Sequence, residues 1–151
     1  MTVSSEDAVL PTHYPFHIQI PARFADLDVN MHLNNVAVST FYEDARTTLH
    51  RSQLGRWLGA PQPDRSRLVV GRTTTEYFVE GPYPATYTVA IGISKIGTSS
   101  FTDSLALFNG EQLIGACDTV MVHMRGGGTA PVPDDMRAVL ASLPAPSALR
   151  H

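Results

Sequence analysis

Arg23-Phe-Ala-Asp-Leu-Asp-Val-Asn-Met-His-Leu-Asn-Asn35 is the stretch that decides how this chain reads. It packs two carboxylates (Asp26, Asp28), three asparagines (Asn30, Asn34, Asn35) and His32 into ten residues. The apolar alternation before it stops here, and a helical repeat begins just after. The first N–H groups of a helix have no intrahelical acceptor, and the helix dipole there favours negative charge. Polar side chains gathered at such a place make a candidate reaction site.

Upstream, Tyr14, Phe16, Ile18 and Ile20 alternate with His17 and Gln19. This period of two predicts a strand over 14–24 with one buried face, and Pro21 suits its edge or a bulge. Downstream, Asn34 is a good N-cap. At 100° per residue, Ala37, Val38, Phe41, Tyr42, Ala45, Thr48 and Leu49 fall within an arc of about 140°. The stripe predicts a helix from Asn35 to Leu54, stopped at Gly55. Glu43 lies opposite it, with Thr40, Thr47, His50 and Arg46 near by. That face reads as solvated, with a Glu43–Arg46 ion pair.

From Arg67 the pattern becomes β-rich. Strands are predicted over 67–80, 85–96, 99–108 and 112–124. Turn signals separate them: Gly81-Pro82-Tyr83-Pro84, Gly97-Thr98 and Asn109-Gly110. Asn-Gly is a strong two-residue hairpin signal. Successive hairpins imply an antiparallel meander. A second short helix is expected over 134–143, with Asp134 as its cap. The domain plan is a flexible N-terminus at 1–13, one folded unit at 14–125, and a Gly/Pro linker with a short helix at 126–151. One long helix and five antiparallel strands give an α+β domain, with the helix laid on a curved sheet.

Composition narrows the functional classes. The chain has 151 residues, 43% of them hydrophobic and 17% charged, with a formal net charge of −3. That suits one globular domain, and gives no global attraction to nucleic acid or an anionic membrane. The single cysteine, Cys117, cannot form an internal disulfide and fits a reducing, cytoplasmic compartment. No apolar run reaches the roughly 20 residues needed to span a bilayer.

Two readings compete for Asp28. Asp is common before a helix because it satisfies orphan N–H groups. The other reading is a catalytic carboxylate: a thioester carbonyl placed here would meet unpaired donors such as the Asn35 N–H as its oxygen becomes anionic. Asp28 would attack directly or activate water. A thiol leaves as thiolate, with a pKa of about 8.5, so no strong general acid is required. Asp26 reads as a structural partner of Arg23. His32 is placed to orient water or hold a neighbour. Ser99 and Ser100 lack a nucleophile elbow, Cys117 reads as core, and no metal-ligand or phosphate-loop pattern stands out.

Asp26-Leu-Asp28, His32, Asn34-Asn35 and Glu43-Asp-Ala-Arg46 together resemble the signature of hotdog-fold acyl-CoA thioesterases, nearest to the 4-hydroxybenzoyl-CoA thioesterase-like family. The run from Leu27 to Val36 also resembles plant-type acyl-carrier-protein (acyl-ACP) thioesterases, whose Asp-x-Asn-x-His constellation falls here on Asp28, Asn30 and His32. Met31 stands where the CoA branch commonly has glycine. Thr75–Pro82, Lys95–Phe101 and Gly115–Met124 extend the likeness over about 14–125.

The resemblance implies a five-stranded antiparallel sheet wrapped around one long central helix. It implies hydrolysis of an acyl-CoA or acyl-ACP thioester to free acid and thiol. Asp28 would be nucleophile or general base, Asn35 the oxyanion donor, and Asn30 and His32 auxiliaries. Lys95, Gly97, Ser99 and Ser100 would hold the pantetheine or phosphates. It implies no metal and no cofactor beyond CoA as part of the substrate, and a homodimer or homotetramer. Two alternatives stand beside it. A non-catalytic acyl-CoA-binding module would not need Asp28. A hotdog enoyl-CoA hydratase would place its His five residues after the Asp, with a proline between; here the interval is four and the proline is missing.

Overall fold

The long helix forms where the apolar stripe predicts, and it begins on its cap. Asn34 keeps extended backbone while its side chain accepts from the Ala37 N–H at 2.7 Å. In the computed structural model, which describes residues 9–147, helix α1 spans Asn35–Leu58. It does not stop at Gly55. A glycine inside a helix costs only about 1 kcal/mol, whereas burying a large apolar side chain stabilises by about 1.5–3 kcal/mol. Continuing buries Trp57, and the helix closes at Gly59, whose N–H bonds the Gly55 carbonyl.

Five strands curl around α1: β1 Phe16–Pro21, β2 Arg67–Tyr77, β3 Thr86–Ile96, β4 Ser100–Asn109 and β5 Gln112–Arg125. They lie in the order β1-β3-β4-β5-β2, and the two-residue β6, Gly128–Thr129, pairs with β5. All pairings are antiparallel. The β4–β5 loop is Gly110-Glu111, with Asn109 paired to Gln112 and Gly110 at φ +61°. The arrangement is the α+β one that the pattern predicts and the hotdog fold that the resemblance implies, and β1 and β2 are the open edges of the sheet.

The core sits between α1 and the concave face. Val38, Phe41, Tyr42, Ala45 and Leu49 pack against Val89, Ile91, Phe101, Leu105, Leu107 and Met121. A smaller cluster of Val9, Tyr14, Ala90, Ala106, Phe108 and Ala145 covers part of the convex face. Helix α2, Asp134–Ala141, is capped by Pro133 rather than Asp134, and buries Met136 and Leu140 in the main core. Residues 1–8 of the expected mobile N-terminus lie outside the described residues; Val9 is buried, and Pro11–His13 form a 3-10 turn. Between 126 and 133, the expected linker, β6 pairs with β5 and the Val132 N–H bonds the Thr98 carbonyl. No helix among the described residues is long and apolar enough to cross a membrane.

Candidate active site

A short loop carries Asp28 to the mouth of α1, and its neck is closed by backbone. Leu27 and Leu33 form an isolated antiparallel bridge. The Asn34 N–H bonds the Asp26 carbonyl at 2.8 Å, and the Leu33 N–H bonds the Gly81 carbonyl at 3.0 Å. Inside the neck, the Met31 N–H bonds the Asp28 carbonyl at 3.1 Å. Met31 takes φ +62°, in the left-handed region, where the CoA branch commonly has the freer residue glycine.

Asp28 is fixed by its own backbone. Its Oδ1 accepts from the Asn30 N–H at 2.8 Å and the His32 N–H at 3.3 Å. Oδ2 has no hydrogen-bond partner among the described residues. One carboxylate oxygen thus serves the turn, as the structural reading expects, and the other is left unengaged.

Asp28, His32 and Asn35 line one cleft of about 280 Å³, with Val38, Gly81 and Ile114 among its other walls. The Asn34 side chain takes the Ala37 N–H. The N–H groups of Asn35 and Val36 have no acceptor among the described residues. Two donors at a helix start, beside a free carboxylate oxygen, can receive a developing oxyanion. The Val36 donor was not singled out in the sequence; it follows from the cap, which leaves both N–H groups ahead of Ala37 open.

Asn30 is exposed on the outside of the turn and is not part of the cleft wall. His32 is partly buried, with Nδ1 3.3 Å from Glu80 Oε2. Asp26 is structural: it is buried, and its carboxylate accepts from the Arg23 N–H at 2.7 Å and from Arg23 Nη2 at 3.1 Å. The Arg23 guanidinium holds the Asp26 carboxyl below its ordinary range, against the opposing effect of burial.

Gly81 forms a wall that only glycine fits. A Cβ there would stand 2.8 Å from Leu33 Cδ1 and 2.9 Å from the Tyr87 hydroxyl. That hydroxyl donates to the Pro82 carbonyl, and burial pushes its pKa up to about 12.

The rim is apolar. Phe24, Val29, Met31, Val36, Tyr77 and Phe78 are all exposed large hydrophobics. They flank the Asp28 turn, the first turn of α1 and the end of β2. Scattered exposed apolar residues are ordinary, but a concentration of them marks a binding surface.

The other expected ligand residues lie elsewhere. Lys95, Gly97, Ser99 and Ser100 belong to the β3–β4 hairpin, one strand length from Gly81, or roughly 34 Å at 3.4 Å per residue. Arg137 donates to the Gly97 and Thr98 carbonyls there, and the Gly97 N–H bonds the Ser100 carbonyl. Lys95 is exposed beside Arg72 and Asp118 on the convex face. Among the described residues, no group of three or more His, Cys, Asp or Glu is arranged to hold a metal ion.

The polar face of α1 corrects the sequence reading. Glu43 is exposed, 3.8 Å from Arg46, but Arg46 and His50 are buried. They sit over the inner surface of β4 and β5, which a helical wheel alone does not show.

No functionally curated protein matches the chain by sequence. Solved structures do. A protein from Pseudomonas aeruginosa is 24% identical over 90% of this chain and 96% of its own, with a TM-score of 0.76. A predicted thioesterase from Bacillus stearothermophilus is 25% identical over 87% and 98%, also at 0.76. A thioesterase from Thermus thermophilus, crystallised with coenzyme A and zinc, is 23% identical over 86% and 94%, again at 0.76. The profile of the Thioesterase-like superfamily matches residues 22–140. With the hotdog sheet, the carboxylate at the helix mouth and a family match over most of its length, this chain belongs to the thioesterase-like superfamily.

Proposed function

We propose that the protein hydrolyses the thioester of an acyl-CoA, or of an acyl-ACP, to free acid and thiol in the cytoplasm. One observation carries this reading: Asp28, with an unengaged carboxylate oxygen, lines the same cleft as Asn35, whose N–H at the start of α1 has no acceptor among the described residues. The thioester carbonyl enters with its oxygen toward the Asn35 and Val36 N–H groups. Asp28 then acts in one of two ways. As a nucleophile it adds to the carbonyl carbon, the C–S bond breaks, the thiolate leaves, and water hydrolyses the mixed anhydride. As a general base it takes a proton from water, whose oxygen adds to the carbonyl before the thiolate leaves. His32 lines the cleft and helps position the reacting water or carbonyl, while Asn30 fixes the Asp28 carboxylate through its backbone N–H.

The apolar rim suits an acyl chain or pantetheine arm, and also a second copy of the chain. We propose a homodimer joined along the open β2 edge. The hairpin of Lys95, Gly97, Ser99 and Ser100 is a strand length away from its own Asp28, so it serves the pantetheine or phosphates at the partner's site. The Thermus thermophilus relative crystallised with coenzyme A supports CoA as the thiol.

Thiol release from short, long and aromatic acyl-CoAs tests the reading, with Asp28→Asn beside the wild type. Turnover in the wild type and a loss of at least ~100-fold in the variant are expected. Acyl-CoA binding without turnover would favour the non-catalytic module. Turnover that survives in Asp28→Asn would move the base elsewhere, with Glu43 next to test.

A further inference from the structure

A second polar site is built into the inner face of the fold, away from Asp28. Strand β4 turns Phe101, Asp103, Leu105 and Leu107 toward α1. Three of these four are core hydrophobics; Asp103 is a carboxylate with no solvent exposure. His50 of α1 approaches it, Nε2 to Oδ2 at 2.9 Å. The approach lies off the hydrogen-bond line, so neither Asp103 oxygen nor His50 Nε2 has a directed partner. Asp103 pairs across the sheet with Thr119, and Arg46, one turn before His50, reaches Thr119 Oγ1 at 3.4 Å. Two successive turns of α1 thus place an arginine and a histidine over two adjacent positions of the sheet.

Burying an ion pair in place of apolar side chains is seldom favourable for stability. A position otherwise fit for leucine holds an aspartate here, which calls for another reason.

The surroundings supply one. Arg46 and His50 line a groove of about 470 Å³ between α1 and the start of β2. Its floor and one wall are apolar: Leu58, Leu68, Val69, Val70 and Met121. Among the described residues, Arg46 has one long hydrogen bond, and its carboxylate neighbour is the exposed Glu43 at 3.8 Å. The Arg46 guanidinium is thus a buried charge with donors to spare. A guanidinium with free donors receives a carboxylate along two parallel N–H bonds. The groove also lies on the same flank of α1 as Asn35. Arg46 is about 20° around the helix from Asn35 and ~16 Å farther along it.

We propose that this groove binds a carboxylate at the far end of the acyl group, so that the preferred substrates are thioesters of dicarboxylic acids. The proposal rests on the thioesterase reading and names its substrate class. Arg46 and His50 hold the carboxylate, Asp103 sits against the His50 ring and orients it, and the apolar wall covers the methylene chain. Arg51, Arg65 and Arg67 line the same groove but are exposed at its mouth; the inner end, with the buried Arg46 guanidinium over an apolar floor, is where we place the carboxylate.

The test compares matched CoA thioesters of one chain length, ended by a methyl or by a carboxylate, from short to long. The wild type is expected to favour the carboxylate end by at least tenfold in kcat/KM at its best length. The double variant His50→Leu/Asp103→Leu replaces the pair by apolar side chains, and Arg46→Met removes the guanidinium. Each should shift the ratio toward the methyl end by tenfold or more, and circular dichroism should show both folded. A wild type that favours the methyl end, or a ratio unmoved in folded variants, overturns the proposal. So does a loss confined to the difference between CoA and dephospho-CoA inhibition, which would assign the groove to the nucleotide. If no thioester is hydrolysed at all, the thioesterase reading fails first. Calorimetric titration with free adipate and dodecanedioate then decides the groove alone: binding lost in both variants supports it, and no binding to the wild type overturns it.

Discussion

Asn34 Oδ1 accepts from the Ala37 N–H at 2.7 Å, and the same residue's N–H bonds the Asp26 carbonyl at 2.8 Å. One residue therefore starts the helix and fixes the root of the Asp28 turn. Asn34→Ala should cost about 1 kcal/mol in stability, or roughly 2–4 °C in Tm for a chain of this size. Because the cap sets which N–H groups remain open, kcat should fall as well. Thermal melts with steady-state thiol release check both.

Met31 holds φ +62° with a side chain that is more than half exposed. A left-handed conformation costs an ordinary L-residue about 1–2 kcal/mol, and Asn tolerates it better than most. Met31→Asn should raise Tm slightly. Met31→Gly should fall near the wild type, since relief of strain is offset by about 0.4–1 kcal/mol of unfolded-chain entropy. Met31→Val should lower Tm, because branching at Cβ worsens the clash. Any other order of melting temperatures would count against strain at this turn.

Asp26 gives a pH dependence whose sign follows from its lowered carboxyl. The hydrogen bond from Arg23 favours the ionised form in the folded state. Its stabilising effect is therefore fully present above the unfolded-chain value, about 3.9, and is lost as pH falls through the lower folded value. Asp26→Asn should be less stable than the wild type at pH 7, and the gap should close in acid. Urea midpoints from pH 7 down to pH 2 measure it. Because Arg23 is largely exposed, added salt should narrow the gap at neutral pH.

His50 and Asp103 make a stability prediction that is separate from any ligand. Removing one partner leaves the other buried and alone, so His50→Leu by itself should cost about 3–5 kcal/mol. The double variant with Asp103→Leu should recover most of that loss and could exceed the wild type. Denaturant midpoints of the four proteins form a double-mutant cycle, and additive losses would deny the coupling.

The sequence made the scaffold legible where a local rule agrees with the packing. The stripe from Ala37 to Leu49 predicts the buried face of α1, and Gly97-Thr98 and Asn109-Gly110 fall at the β3–β4 and β4–β5 turns. Asp28, His32 and Asn35 are close in sequence, so their meeting in one cleft follows from a short loop. Gly55 reads as the end of α1, but it is a stop signal only when nothing beyond it gains by being buried, and Trp57 does. Arg46 and His50 look solvated on a helical wheel, which shows one helix and not the sheet curling over it. The interruption of Phe101, Leu105 and Leu107 by Asp103 was the available sign of a buried partner, but naming His50 as that partner needs the fold.

The Leu27–Leu33 bridge has a bearing on how such a chain changes over time. It clamps the five residues between its ends while making few demands on their side chains, which mostly face outward. The clamp and the chemistry are thus separable parts, like a socket and its fitting. A lineage that keeps the two leucines and Asn34 can exchange what lies between them without rebuilding the helix or the sheet. New reactivity would then arrive as a short cassette, on a scaffold whose stability has already been secured elsewhere.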